Sequence, residues 1–95
     1  MPKKHPIKSA LDFMRTRAMD KLSFRQMRVL LACAEGKQTV RGLSSSLKIS
    51  KPAVSRAADR LEELSFLKRE DDPRDGRSII LELTKDGHKF AAHFE

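Results

Sequence analysis

Residues 39–64 hold two apolar runs of helical period joined by only three residues, Lys48, Ile49 and Ser50. The first run places Val40, Leu43 and Leu47 on one side of a short helix that Thr39 can cap. The second places Val54, Ala57, Ala58, Leu61 and Leu64 on one side of a longer helix that Ser50 can cap. Pro52 fits its first turn, where a missing N–H loses no bond. A short and a longer helix joined by so tight a turn make the helix-turn-helix arrangement. Past Leu64 the period falls from 3.6 to 2. "FLKRED" and "RSIILEL" read as strands, with Ile79, Leu81 and Leu83 on one face and Ile80 and Glu82 on the other. The "DPRDG" between them holds a Pro and a Gly suited to a turn. The expected fold is mainly α with a small β-hairpin, a winged helix-turn-helix.

The flanks add helices. Ser23 and Gln26 form a capping box for a helix over about 23–35, ended by Gly36. Its main stripe is Met27, Leu30, Leu31 and Ala34, while Val29 and Cys33 lie on another side, so burial from two directions is expected. Ser9 can cap an earlier helix carrying Ala10, Leu11, Met14 and Ala18, and Thr84 a last one carrying Phe90, Ala91 and Phe94. Residues 1–8, with Pro2, Pro6 and several cations, read as a flexible basic arm ahead of one domain over 9–95.

Charge narrows the partner. The 95 residues carry a net +7, unevenly placed: 14 Lys and Arg against 4 Asp and Glu over 1–60, then 6 against 9 over 61–95. Such an excess attracts a polyanion. The single cysteine, Cys33, allows no internal disulfide and suits a reducing compartment. Its apolar mid-helix setting reads as a buried structural thiol rather than a redox sensor. No apolar run approaches the roughly 20 residues of a membrane span, and "MPKKHPIK" is not a secretory signal, so a cytoplasmic location is expected. His5, His88 and His93 lack metal-ligand spacing, and no phosphate loop, dinucleotide fingerprint or nucleophile elbow occurs. No metal, cofactor or enzymatic activity is expected.

The polar side of the longer helix shows Pro52, Ser55, Arg56, Asp59, Arg60 and Glu63. Ser50, Ala53 and Ser55 are short and permit close approach, whereas Lys51 and Arg56 supply reach and charge. A helix of this kind fits the major groove of duplex DNA, where an arginine pairing with guanine discriminates by about 1–3 kcal/mol. An amphipathic helix in any small bundle could carry the same stripe, with Arg56 merely solvated. The hairpin that follows favours the DNA-binding reading.

Three ordered segments resemble the MarR-type transcription regulators. The wing pattern D-x-R-[DS]-x-R matches Asp72, Arg74, Asp75 and Arg77; L-T-x-x-G matches Leu83, Thr84 and Gly87; D-R-L-E matches Asp59, Arg60, Leu61 and Glu62. "LSFRQMRVLLACAEG" is similar to the helix that precedes the family's DNA-binding helices, and the likeness covers roughly 22–90. The resemblance implies a homodimer on pseudo-palindromic duplex DNA, acting as a repressor in the bacterial or archaeal nucleoid. It implies a wing arginine that enters the minor groove or meets a phosphate while an acid holds it in place. Arg74 is the expected minor-groove arginine, and Asp72 or Asp75 is expected to pair with Arg77. Arg41 and Arg60 are expected on phosphates.

The sequence departs from the family in three places. It stops about ten residues into its last helix, so a short form without the usual C-terminal dimerisation helix is expected. Ser65 and Lys48 stand where the family commonly has Gly. A dimer remains the expectation, built on Phe13, Met14, Met19, Phe90 and Phe94, which could instead pack within the chain. The competing functions are a winged helix used for protein assembly and an initiator or partition module of a mobile element.

Overall fold

The computed structural model describes residues 22–94 together with Lys8 and Asp12. Helix α1 (Phe24–Cys33) leads to a two-residue strand β1 (Gln38–Thr39) and a short helix α2 (Val40–Leu47). Helix α3 (Lys51–Glu63), strands β2 (Leu67–Asp72) and β3 (Asp75–Leu83), helix α4 (Lys85–Ala91) and a 3-10 turn (Ala92–Phe94) follow. Lys8 and Asp12 are helical and exposed. The expected arm over 1–8 and the expected first helix otherwise lie outside the described residues, as do Phe13, Met14 and Met19.

Local chemistry sets the helix starts. Ser23 and Gln26 close a reciprocal capping box on α1, the Gln26 N–H donating to Ser23 Oγ at 3.1 Å and the Ser23 N–H to Gln26 Oε1 at 2.9 Å. Thr39, Ser50 and Thr84 each accept a backbone N–H three residues on, from Gly42, Ala53 and Gly87. Gly36 supplies the positive φ of 142° that follows α1.

The hairpin is part of a larger sheet than the sequence suggested. β1 pairs antiparallel with β3 through Gln38–Leu81 and Thr39–Ile80, giving the order β1-β3-β2. β2 and β3 pair from Leu67–Leu83 outward to Asp72–Asp75, leaving Pro73 and Arg74 as the turn. One core joins the layers. Val29, Leu30 and Cys33 from α1, Leu43 from α2, and Val54, Ala57, Ala58 and Leu61 from α3 meet Leu67, Leu81 and Leu83 of the sheet. Burial of Cys33 pushes its thiol up to about 11, so it stays protonated at neutral pH.

Phe90 differs from its expected role as a dimer contact. It is fully buried and stacks on Phe66 with ring centroids 5.1 Å apart. The physical reason is the Ser65–Phe66 turn, which turns Phe66 inward beneath α4.

Lys48 and Ser65 both adopt left-handed backbone, with φ of 58° and 63°. That conformation costs a residue bearing a Cβ about 1–2 kcal/mol, offset in part by the extra freedom of glycine in the unfolded chain. Ser65→Gly should therefore raise stability by about 0.5–1 kcal/mol in urea unfolding. An unchanged or lower midpoint would show that the Ser65 side chain contributes more than its backbone costs.

Candidate nucleic-acid interface

α2 and α3 are joined at Lys48, whose left-handed turn redirects the chain. Two further bonds fix this joint: Ser44 Oγ donates to the Ile49 carbonyl at 2.6 Å, and Arg28 Nη2 to the Leu47 carbonyl at 2.9 Å. α3 then presents Lys51, Pro52, Arg56 and Asp59 to solvent, with Ser55 half-buried. Ala53 does not share that face. It is 5% exposed, and the 100° step per residue turns it toward α1 rather than outward. Ser50 is exposed, but its hydroxyl already accepts the Ala53 N–H. Lys51, Ser55 and Arg56 are thus the groove-facing candidates in the first half of α3.

Tertiary structure assembles a cationic cleft from separate elements. Arg41 of α2, Lys51 and Ser55 of α3, and Arg77 and Ser78 of β3 line a space of about 120 Å³ with Val40 and Ile79. Among the described residues, no carboxylate lines it. Among the described residues, none of Arg41, Lys51, Arg56, Arg74 and Arg77 is ion-paired. The acids nearby are engaged elsewhere: Glu70 with Lys37 at 3.4 Å, Glu63 with Arg60 at 3.2 Å, and Glu82 with Lys68 at 3.2 Å. Arg60, expected on a phosphate, is therefore half-buried and paired within its own helix.

The acids of the wing act by another route than the expected ion pair with Arg77. Asp72 accepts the backbone N–H of Arg74 at 2.9 Å, and Asp75 accepts that of Arg77 at 3.0 Å. A short acid reaches the N–H two residues on more readily than a long side chain, so it closes a local turn. Both guanidinium groups stay exposed, with no ion pair among the described residues.

Sequence reasoning missed Arg69. From β2 its Nη2 donates to the Ser55 carbonyl at 2.8 Å and pairs with Asp59, both on α3. Its Nε is buried without a hydrogen-bond partner among the described residues, with Glu62 Oε1 3.7 Å away. Only a charge on an inward-facing strand position hinted at this link.

The family model described as the MarR family matches residues 20–78. A mutant of ZitR from Lactococcus lactis is 30% identical, with a TM-score of 0.69 over 75% of this chain and 49% of that one. The adhesin competence repressor AdcR of Streptococcus pyogenes is 25% identical, with a TM-score of 0.72 over 93% and 66%. YusO of Bacillus subtilis, at 24% identity, shares the fold with a TM-score of 0.74 over 94% and 62%. This chain spans about half the length of ZitR. No curated protein matches it.

Proposed function

Because the chain belongs to the MarR family, we propose that it is a sequence-specific regulator of transcription that binds duplex DNA. α3 enters the major groove and reads bases through Lys51, Ser55 and Arg56. The wing reaches the adjacent minor groove with Arg74, where narrow A·T tracts concentrate negative potential. Arg41, Lys51 and Arg77 clamp the phosphates between the two grooves. The observation that carries this reading is the cleft in which three cations from three elements converge, with no carboxylate among the described residues that line it. Neutralising phosphates releases counterions, so affinity should fall steeply with salt.

The chain acts in the cytoplasm at the nucleoid as a homodimer and represses transcription, in keeping with the name of its relative AdcR. Two copies place their α3 helices about 34 Å apart on a pseudo-palindrome. With Phe90 in the core, the remaining candidates for the dimer surface are Phe94 of the 3-10 turn and Phe13, Met14 and Met19, which lie outside the described residues.

Selection of bound duplexes from a random pool, with affinity then measured at several salt concentrations, tests this. Arg56→Ala should relax preference at one base position by about 1–3 kcal/mol. Arg41→Ala should weaken all sequences alike and reduce the salt slope by about one. Equal loss of preference in both variants would contradict these roles. Failure to bind any duplex, with salt-insensitive capture of a protein instead, would assign the fold to assembly. Added protein should lower transcription from a promoter carrying the selected site; a rise would make it an activator.

A further inference from the structure

α3 is flanked on its other side by a second basic depression. An open trough of about 620 Å³ lies between α1 and α3, lined by Ser23, Phe24, Arg25, Gln26, Arg28, Ala53, Arg56 and Ala57. Among the described residues its charge is one-sided, with three arginines and no carboxylate. Ser23 and Gln26 are already bonded to each other in the capping box, so the arginines are its available polar groups. Arg25 is exposed and not ion-paired among the described residues. Arg28 spends one N–H on the Leu47 carbonyl, which fixes the side chain while other donors of its guanidinium remain. Phe24, 79% exposed, adds an apolar wall.

We propose that this trough is a second phosphate rail, holding the DNA strand on the opposite side of the major groove from the Arg41–Lys51–Arg77 cleft. A helix lying in a major groove about 12 Å wide has a sugar–phosphate backbone on each side. The cleft borders α3 through Lys51 and Ser55, and the trough borders it through Ala53, Arg56 and Ala57. The two depressions therefore flank the helix as the two backbones flank a groove. Arg25 and Arg28 supply the charge, Arg56 joins the rail to the base-reading face, and Phe24 packs on deoxyribose between phosphates. The inference rests on the placement of α3 in the groove.

The test compares the full chain with Arg25→Ala and Arg25→Lys on the selected duplex. Each neutralised phosphate contributes about 0.9 to the salt slope. Arg25→Ala should lower the slope by about that amount with sequence preference and thermal unfolding unchanged, and Arg25→Lys should keep the wild-type slope. Phosphate ethylation interference should show two clusters flanking the major groove, with Arg25→Ala losing one of them. A wild-type slope and both clusters intact in Arg25→Ala would overturn the rail while leaving the proposed function standing. Normal duplex binding by both Arg25→Ala and Phe24→Ala would likewise overturn it. Absence of duplex binding by the unaltered chain would overturn both readings together.

Discussion

Gly87→Ala should remove about 3 kcal/mol or more of folding stability, at or beyond the upper end for overpacking a core. That is a large share of the about 5–15 kcal/mol that holds a domain together. The reason lies in how α4 is strapped to the turn after α3. Thr84 donates its backbone N–H to the Phe66 carbonyl at 2.9 Å and its hydroxyl to the Ser65 carbonyl at 2.6 Å. The same hydroxyl oxygen accepts the Gly87 N–H at 3.1 Å. Gly87 is thereby pressed onto the Phe66 peptide. A Cβ there would fall far inside contact distance of the Phe66 carbonyl oxygen and only 3.1 Å from its carbon. The obstacle is backbone, so no rotamer change relieves it. Gly76→Ala is the control: a Cβ at Gly76 meets nothing within 4 Å, and the loss should stay within about 0.5 kcal/mol. Urea unfolding of the two variants checks the pair. Similar midpoints for both would refute the clash.

Phe90→Ala should cost about 3–5 kcal/mol, the range for removing a buried aromatic ring. The ring lies against Phe66 nearly parallel, at an interplanar angle of 6°, with Ala91 and Leu83 buried in the same core. The loss should be the same at all protein concentrations, because the ring belongs to the core of one chain. A loss that grows on dilution would return Phe90 to a subunit interface, the role the sequence suggested. Thermal unfolding over a hundredfold range of concentration decides between them.

The helices were readable because their signals are local. Ser23, Thr39, Ser50 and Thr84 cap bonds three residues away, and the change of period at Leu64 marks the passage from α3 to the hairpin. What escaped depends on distant partners. A two-residue strand such as Gln38–Thr39 has no period, and only Leu81 and Ile80 opposite make it a strand. Ala53 sits beside the apolar stripe on the helical wheel, and its small size disguised which side it faces. Its burial on the side of the trough between α1 and α3 settled that. Phe90 carried the right helical spacing, but spacing does not say whether an apolar face meets its own core or another chain. The cleft shows the same limit. Arg41, Lys51 and Arg77 were each legible as exposed cations, while their convergence needed the three elements to be assembled.

The bonds from Arg69 to Ser55 and Asp59 join the β-ribbon to the middle of α3, at a residue only 29% exposed. The two bonds tie the ribbon to the helix and hold the wing in place beside it. In the proposed complex, the count of base pairs between the major-groove contacts of α3 and the minor-groove contact of its wing is then set by the protein. An operator with one pair inserted between those positions would forfeit one set of contacts, however well both halves match.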